Sequence, residues 1–163
     1  LEVSKAYSPR PFLNQPTNHP FYTEHGVIEL PYKRQESTYA RFDGPMEMKL
    51  EIHMNETHQV KDTGLLKSFA ASLAMNFAPG VDVDKIRASK RTIYGLNGDE
   101  LVTKMTEDGD PELYFGWKYE GRKDSGEYPV IRIMVQECPD GNLNEKLKIW
   151  DAALDSFRPA YKR

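Results

Sequence analysis

The stretch "MEMKLEIHM" alternates with a period of two: Met46, Met48, Leu50, Ile52 and Met54 fall on one side, Glu47, Lys49, Glu51 and His53 on the other. Such alternation predicts a half-buried strand with a solvated outer face. Upstream, "GVIELP" from Gly26 reads as a short strand stopped by Pro31, and "STYARF" as a second. In "DTGLLKSFAASLAMNFAPG" the period lengthens. Leu65, Phe69, Leu73 and Phe77 recur every four residues, and Leu66, Ala70 and Ala74 widen the stripe, which predicts an amphipathic helix. Asp62 or Thr63 stands where its cap belongs, and Pro79-Gly80 where it must stop.

From Ile86 the period of two returns for about four strands. "IRASKRTIYGL" and "DELVTKM" flank Asn97-Gly98, a strong signal for a two-residue hairpin turn. "ELYFGWKYE" puts Leu113, Phe115, Trp117 and Tyr119 on one face, and "YPVIRIMVQE" sends Ile131, Ile133 and Val135 inward. Asn142 with Glu145 approximates a capping box. Leu143, Leu147, Trp150, Leu154 and Phe157 follow at helical spacing, and Pro159 closes the helix. The order predicts an α+β fold, an antiparallel meander sheet of about six or seven strands covered by two helices. Residues 1–25 hold Pro9, Pro11, Pro16 and Pro20 without an apolar period. They read as an extended lead-in or interdomain linker, and residues 26–163 as a single α+β domain, the C-terminal domain of a longer protein.

Composition narrows the function classes. The chain has 163 residues, 29% of them charged, a net charge of −3 and a pI near 5.8. Its Lys and Arg are scattered among acids, which argues against nucleic acid as partner. No apolar run approaches the roughly 18 residues of a membrane span. The single Cys138 forms no internal disulfide. The chain opens on Leu1 rather than Met, which reads as a fragment or processed form.

No catalytic constellation stands out. In "YGLNGDELV" the glycines Gly95 and Gly98 join strand to strand, whereas a phosphate loop joins strand to helix. Asp99 and Glu100 are adjacent, so on a strand they point to opposite faces. Ser125 in "KDSGE" lacks the first glycine of a nucleophile elbow. Cys138 sits at a strand end with no positive neighbour in sequence. His53 and His58, near Glu51 and Glu56, lack a third ligand at metal spacing, and His19 and His25 carry no pattern. No cofactor, metal or catalytic residue is assigned, and a binding protein is favoured over an enzyme.

The second half, from about Arg91 to Arg158, carries a resemblance. "GLNGDEL", the aromatic strand "YFGWKYEG", "YPVIRIMVQE" and "IWDAALDSFRP" stand in an order and spacing similar to the C-terminal domain of immunity proteins that neutralise type VI secretion lipase effectors. Trp150, Asp151, Leu154, Ser156 and Arg158 match its closing helix, while Gly98-Asp99-Glu100 departs from an expected Gly-Glu-Glu. The resemblance implies a periplasmic protein that performs no reaction. It would bind a cognate lipase or phospholipase and cover its active site or hold its lid closed, and would have a further N-terminal domain with a signal or anchor. Tight interfaces depend on a few aromatic and Arg anchors. Presumed exposure points to Tyr32, Lys33 and Arg34 between early strands, and to Arg122, Lys123, Asp124 and Tyr128 in the hairpin loop "GRKDSGEY". The alternative is an envelope domain binding a small apolar ligand or lipid under the methionine-rich face of Met46, Met48 and Met54.

Overall fold

The computed structural model describes residues 7–9, 21–23, 26–28, 37–60, 64–74 and 81–158. The chain divides into two units, residues 1–34 with 158–163, and residues 35–157. In the first, strands β1 (Tyr7–Pro9), β2 (Phe21–Thr23) and β3 (Gly26–Ile28) form an antiparallel sheet ordered β1-β3-β2. The short strand at Gly26 thus pairs with two segments from the proline-rich stretch, Tyr7 and Phe21 both lying opposite Ile28.

The second unit contains β4 (Ser37–Asp43), β5 (Lys49–Asn55), helix α1 (Leu65–Ala74), β6 (Val81–Ile93), β7 (Leu96–Glu107), β8 (Asp110–Tyr119), β9 (Val130–Pro139) and helix α2 (Leu143–Ser156). Its six strands form one antiparallel sheet, β4-β5-β9-β8-β7-β6, so the fold is α+β. The last four strands run as a meander. The β4–β5 hairpin joins at the far edge, beside β9, with Ile52 opposite Ile133.

Alternation along the strands builds one apolar face. Val102, Phe115 and Val135 lie in one cross-strand row, and Trp117, Ile133 and Ile52 in the next. Onto this face α2 lays Trp150 and Leu154, both fully buried, with Leu143, Leu147 and Phe157 packed around them. Each such side chain contributes roughly 1.5–3 kcal/mol of burial. The helix stripe read from the sequence is the stripe that docks.

A polar cluster fixes where α2 sits. Glu100 is buried on the same face as Trp150, and its Oε1 accepts from Trp150 Nε1 at 2.8 Å, Arg87 Nη1 at 3.0 Å and Arg91 Nη1 at 3.0 Å. Both arginines also reach helix residue Asp151, at 2.7 and 2.5 Å, and Arg91 reaches Asp155 at 2.8 Å. The Arg87 guanidinium, with Arg91 beside it, holds the Asp151 carboxyl below its ordinary value of 3.8. A carboxylate depressed in the folded state adds stability above its unfolded pKa and gives it up as pH falls through the folded one. The urea midpoint of the wild-type chain is therefore expected to fall more steeply below about pH 4 than that of Asp151→Asn. Parallel acid limbs for the two proteins would contradict this.

Several local expectations give way to longer-range contacts. The first hairpin of the meander turns at Tyr94-Gly95, φ 47° and 80°, not at Asn97-Gly98. Two successive positive φ values are the mark of a type I′ turn. Asn97 and Gly98 lie in β7, opposite Thr92 and Arg91. Met46 is not a strand residue. Pro45, which has no amide hydrogen for a ladder, opens a 3-10 turn, Met46 takes φ 59°, and β5 begins at Lys49. The capping box at α2 does not form: Asn142 adopts φ 50° with no side-chain bond, and its carbonyl accepts from the amides of Glu145 and Lys146.

Candidate functional site

The end of the second unit that carries the β6–β7 turn also carries the β8–β9 loop, because β7 and β8 run antiparallel with Asp99 opposite Lys118. Four of the seven residues expected to meet a partner sit in this loop. It is held at several points. The Arg122 amide donates to the Tyr128 carbonyl at 2.7 Å, and the Tyr128 amide donates to Ser125 Oγ at 3.1 Å. The Arg122 guanidinium lies 3.8 Å from the centroid of the Tyr128 ring, a cation–π contact of roughly 0.5–1 kcal/mol at an exposed site.

A second clamp comes from the segment after β5. Thr57 and Lys123 form a parallel bridge, the Asp124 amide donates to the Thr57 carbonyl at 2.7 Å, and Asp124 Oδ1 meets His58 Nδ1 at 2.5 Å. Asp124 takes φ 52° there. The loop thus presents exposed Arg122, Lys123 and Asp124 with half-buried Tyr128 from a backbone that is already ordered, which lowers the entropy cost of binding. Thr57 and His58 were not foreseen as supports, since their partners lie 66 positions away. Tyr94, at the neighbouring turn, is 65% exposed. Tyr32, Lys33 and Arg34 lie outside the described residues.

The residues weighed for chemistry are drawn into structure. Asp99 and Glu100 are both buried and point to opposite faces: Glu100 to α2, and Asp99 to Lys90 and the start of α1, where its Oδ2 accepts from the Leu66 amide at 3.2 Å. The helices therefore flank β7 from opposite sides. Cys138 is fully buried, and burial pushes its thiol up even though Lys146 stands close by. His53 is held on the outer face by the edge of Tyr39, 4.7 Å between ring centroids, with Glu51 3.5 Å from its Nε2. Among the described residues no three His, Cys, Asp or Glu side chains converge, and no helix is long and apolar enough to cross a membrane. Met48 is buried in the core, Met54 packs against it and Met46 lies in the turn, so the three methionines do not share one wall.

The family model of the Tle cognate immunity protein 4 C-terminal domain matches residues 14–160. No curated protein sequence matches the chain. Among solved structures, the apo immunity protein TplEi of T6SS from Pseudomonas aeruginosa is similar, with a TM-score of 0.66 at 20% identity, over 95% of this chain and 54% of that one. A structure of the Tle4-Tli4 complex gives a TM-score of 0.62 at 17% identity, over 95% of this chain and 56% of that one. At these identities the likeness establishes the fold. The chain spans little more than half the length of those structures.

Proposed function

Because the chain belongs to the family of the Tle cognate immunity protein 4 C-terminal domain, we propose that it binds and inhibits a cognate type VI secretion lipase by covering the active site or lid. The observation that carries this reading is the match over residues 14–160, joined to a fold shared with Tli4, which was solved in complex with Tle4. The reading includes a periplasmic site of action, a further domain in the natural protein, and no reaction catalysed by the chain. The ordered loop supports it, since a preformed Arg-Tyr pair is the kind of anchor tight interfaces use. So does the state of the candidate nucleophiles: Cys138 is buried, and Ser125 accepts from the backbone of its own loop.

The test titrates the purified chain into the cognate lipase, following phospholipid hydrolysis and co-elution on a sizing column. Inhibition that completes near one-to-one with a co-eluting complex is expected. Arg122→Glu with Tyr128→Ala should then weaken inhibition at least tenfold, since hot-spot residues cost about 2 kcal/mol or more when truncated. Co-elution without inhibition would move the blocking role to the rest of the natural protein. Neither effect, seen also with the full-length protein, ends the immunity reading.

A further inference from the structure

The face of the six-stranded sheet opposite α2, which α1 meets at β7, carries on β4, β5, β9 and β8 an arrangement that the loop does not explain. In one cross-strand row Tyr39 lies opposite His53, His53 opposite Arg132, and Arg132 opposite Lys118. An imidazole, a guanidinium and an ammonium thus stand on adjacent strands, each about 5 Å from the next. Arg132 and Lys118 are like charges directly opposite each other, a pairing that destabilises a sheet unless anions reach it. Lys118 has them, meeting Glu120 at 2.8 Å and lying opposite Asp99, while Glu51 stands 3.5 Å from His53 Nε2. Arg132, the middle member, is exposed and has no carboxylate partner among the described residues.

The surroundings of Arg132 are fixed in advance. Tyr39 is 55% exposed, yet its ring stands edge-on to His53 and its hydroxyl donates to Glu51 Oε1 at 3.2 Å. Tyr114, on the other side, is close enough that the Arg132 charge counters the upward push of burial on its phenol. An Arg with an idle planar fork beside a pre-held Tyr combines two residue types that dominate interface energetics.

We propose that this row is a docking surface for an acidic segment of the effector, with Arg132 taking a carboxylate between His53 and Lys118 and Tyr39 as its aromatic border. The proposal rests on the immunity reading above. Charge placement selects the occupant. Glu51 and Glu120 bracket the row, so a continuous polyanion or a charged bilayer meets repulsion on both flanks, whereas one or two acidic side chains fit between them.

The experiment compares affinity for the cognate lipase in the wild-type chain, Arg132→Glu, Arg132→Lys, and Lys148→Glu, which makes the same charge change on the exposed side of α2. Arg132→Glu should weaken binding at least tenfold, more at low salt than at high. Arg132→Lys should recover part of the loss, and Lys148→Glu should stay within about twofold of wild type. Wild-type binding with Arg132→Glu within twofold of it overturns the docking surface and leaves the immunity reading intact. Equal losses in Arg132→Glu and Lys148→Glu overturn it as well, since general electrostatics would then suffice. Unchanged affinity with a lowered unfolding midpoint in the full-length Arg132→Glu protein would assign the row to another part of the same polypeptide. No wild-type binding at all removes the immunity reading and this proposal with it.

Discussion

Replacing Trp150 by alanine is expected to remove about 3–5 kcal/mol from the unfolding free energy, a large share of the roughly 5–15 kcal/mol a domain possesses. Two losses combine. The indole is fully buried, with its ring centroid 5.8 Å from that of Phe115, so truncation leaves a cavity between helix and sheet. It also supplies one of the three donors on Glu100 Oε1, a carboxylate too deep for water to serve as replacement. Trp150→Phe separates the two, because it keeps most of the apolar volume and discards only the donor. It should cost about 1–3 kcal/mol, the range for a buried acceptor deprived of a partner. Urea midpoints with an unchanged slope measure both. A Trp150→Ala loss below about 1 kcal/mol would mean that α2 is held mainly by its arginine-aspartate contacts.

The second large effect separates the two glycines of "YGLNGDELV". Gly98→Ala is expected to destabilise by about 3 kcal/mol, the upper end of the overpacking range. A Cβ at Gly98 would lie 2.5 Å from the Trp117 ring and 2.6 Å from the Lys118 carbonyl oxygen. The oxygen belongs to the backbone of β8 and cannot swing away. The ring is pinned through Nε1 to the Arg91 carbonyl at 3.0 Å. Gly95 has open space around the same position and a φ of 80°. Gly95→Asn, which tolerates that conformation, should cost less than about 1 kcal/mol. Thermal midpoints of the two variants decide the matter: the reverse order would place the turn back at Asn97-Gly98.

That turn shows what a sequence can and cannot disclose. Moving it three residues shifts the pairing of β6 against β7 by six, an even number, so every side chain keeps its face in either register. Period-two patterning is blind to the choice. What selects the observed register lies outside the hairpin: Gly98 is needed beneath Trp117, and Arg87 and Arg91 are needed on either side of Glu100. Helix α2 was legible because its stripe is local and its five apolar positions are the ones that dock. The placement of β5 beside β9 was not, since Ile52 and Ile133 are separated by the whole meander. The same limit applies to the candidate site. The polar, glycine-containing run from Gly121 to Tyr128 announced a loop, but its bridge to Thr57 and His58 is a tertiary fact. Arg132 reads as an ordinary outward residue of a strand until the register sets it between His53 and Lys118.

The bond from the Leu66 amide to Asp99 spans 33 positions, and this makes α1 a product of the fold and not of its own sequence. A ten-residue helix is too short to persist by itself in water. Residues 65–74 therefore depend for a lasting helical form on the β6–β7 hairpin that carries Asp99.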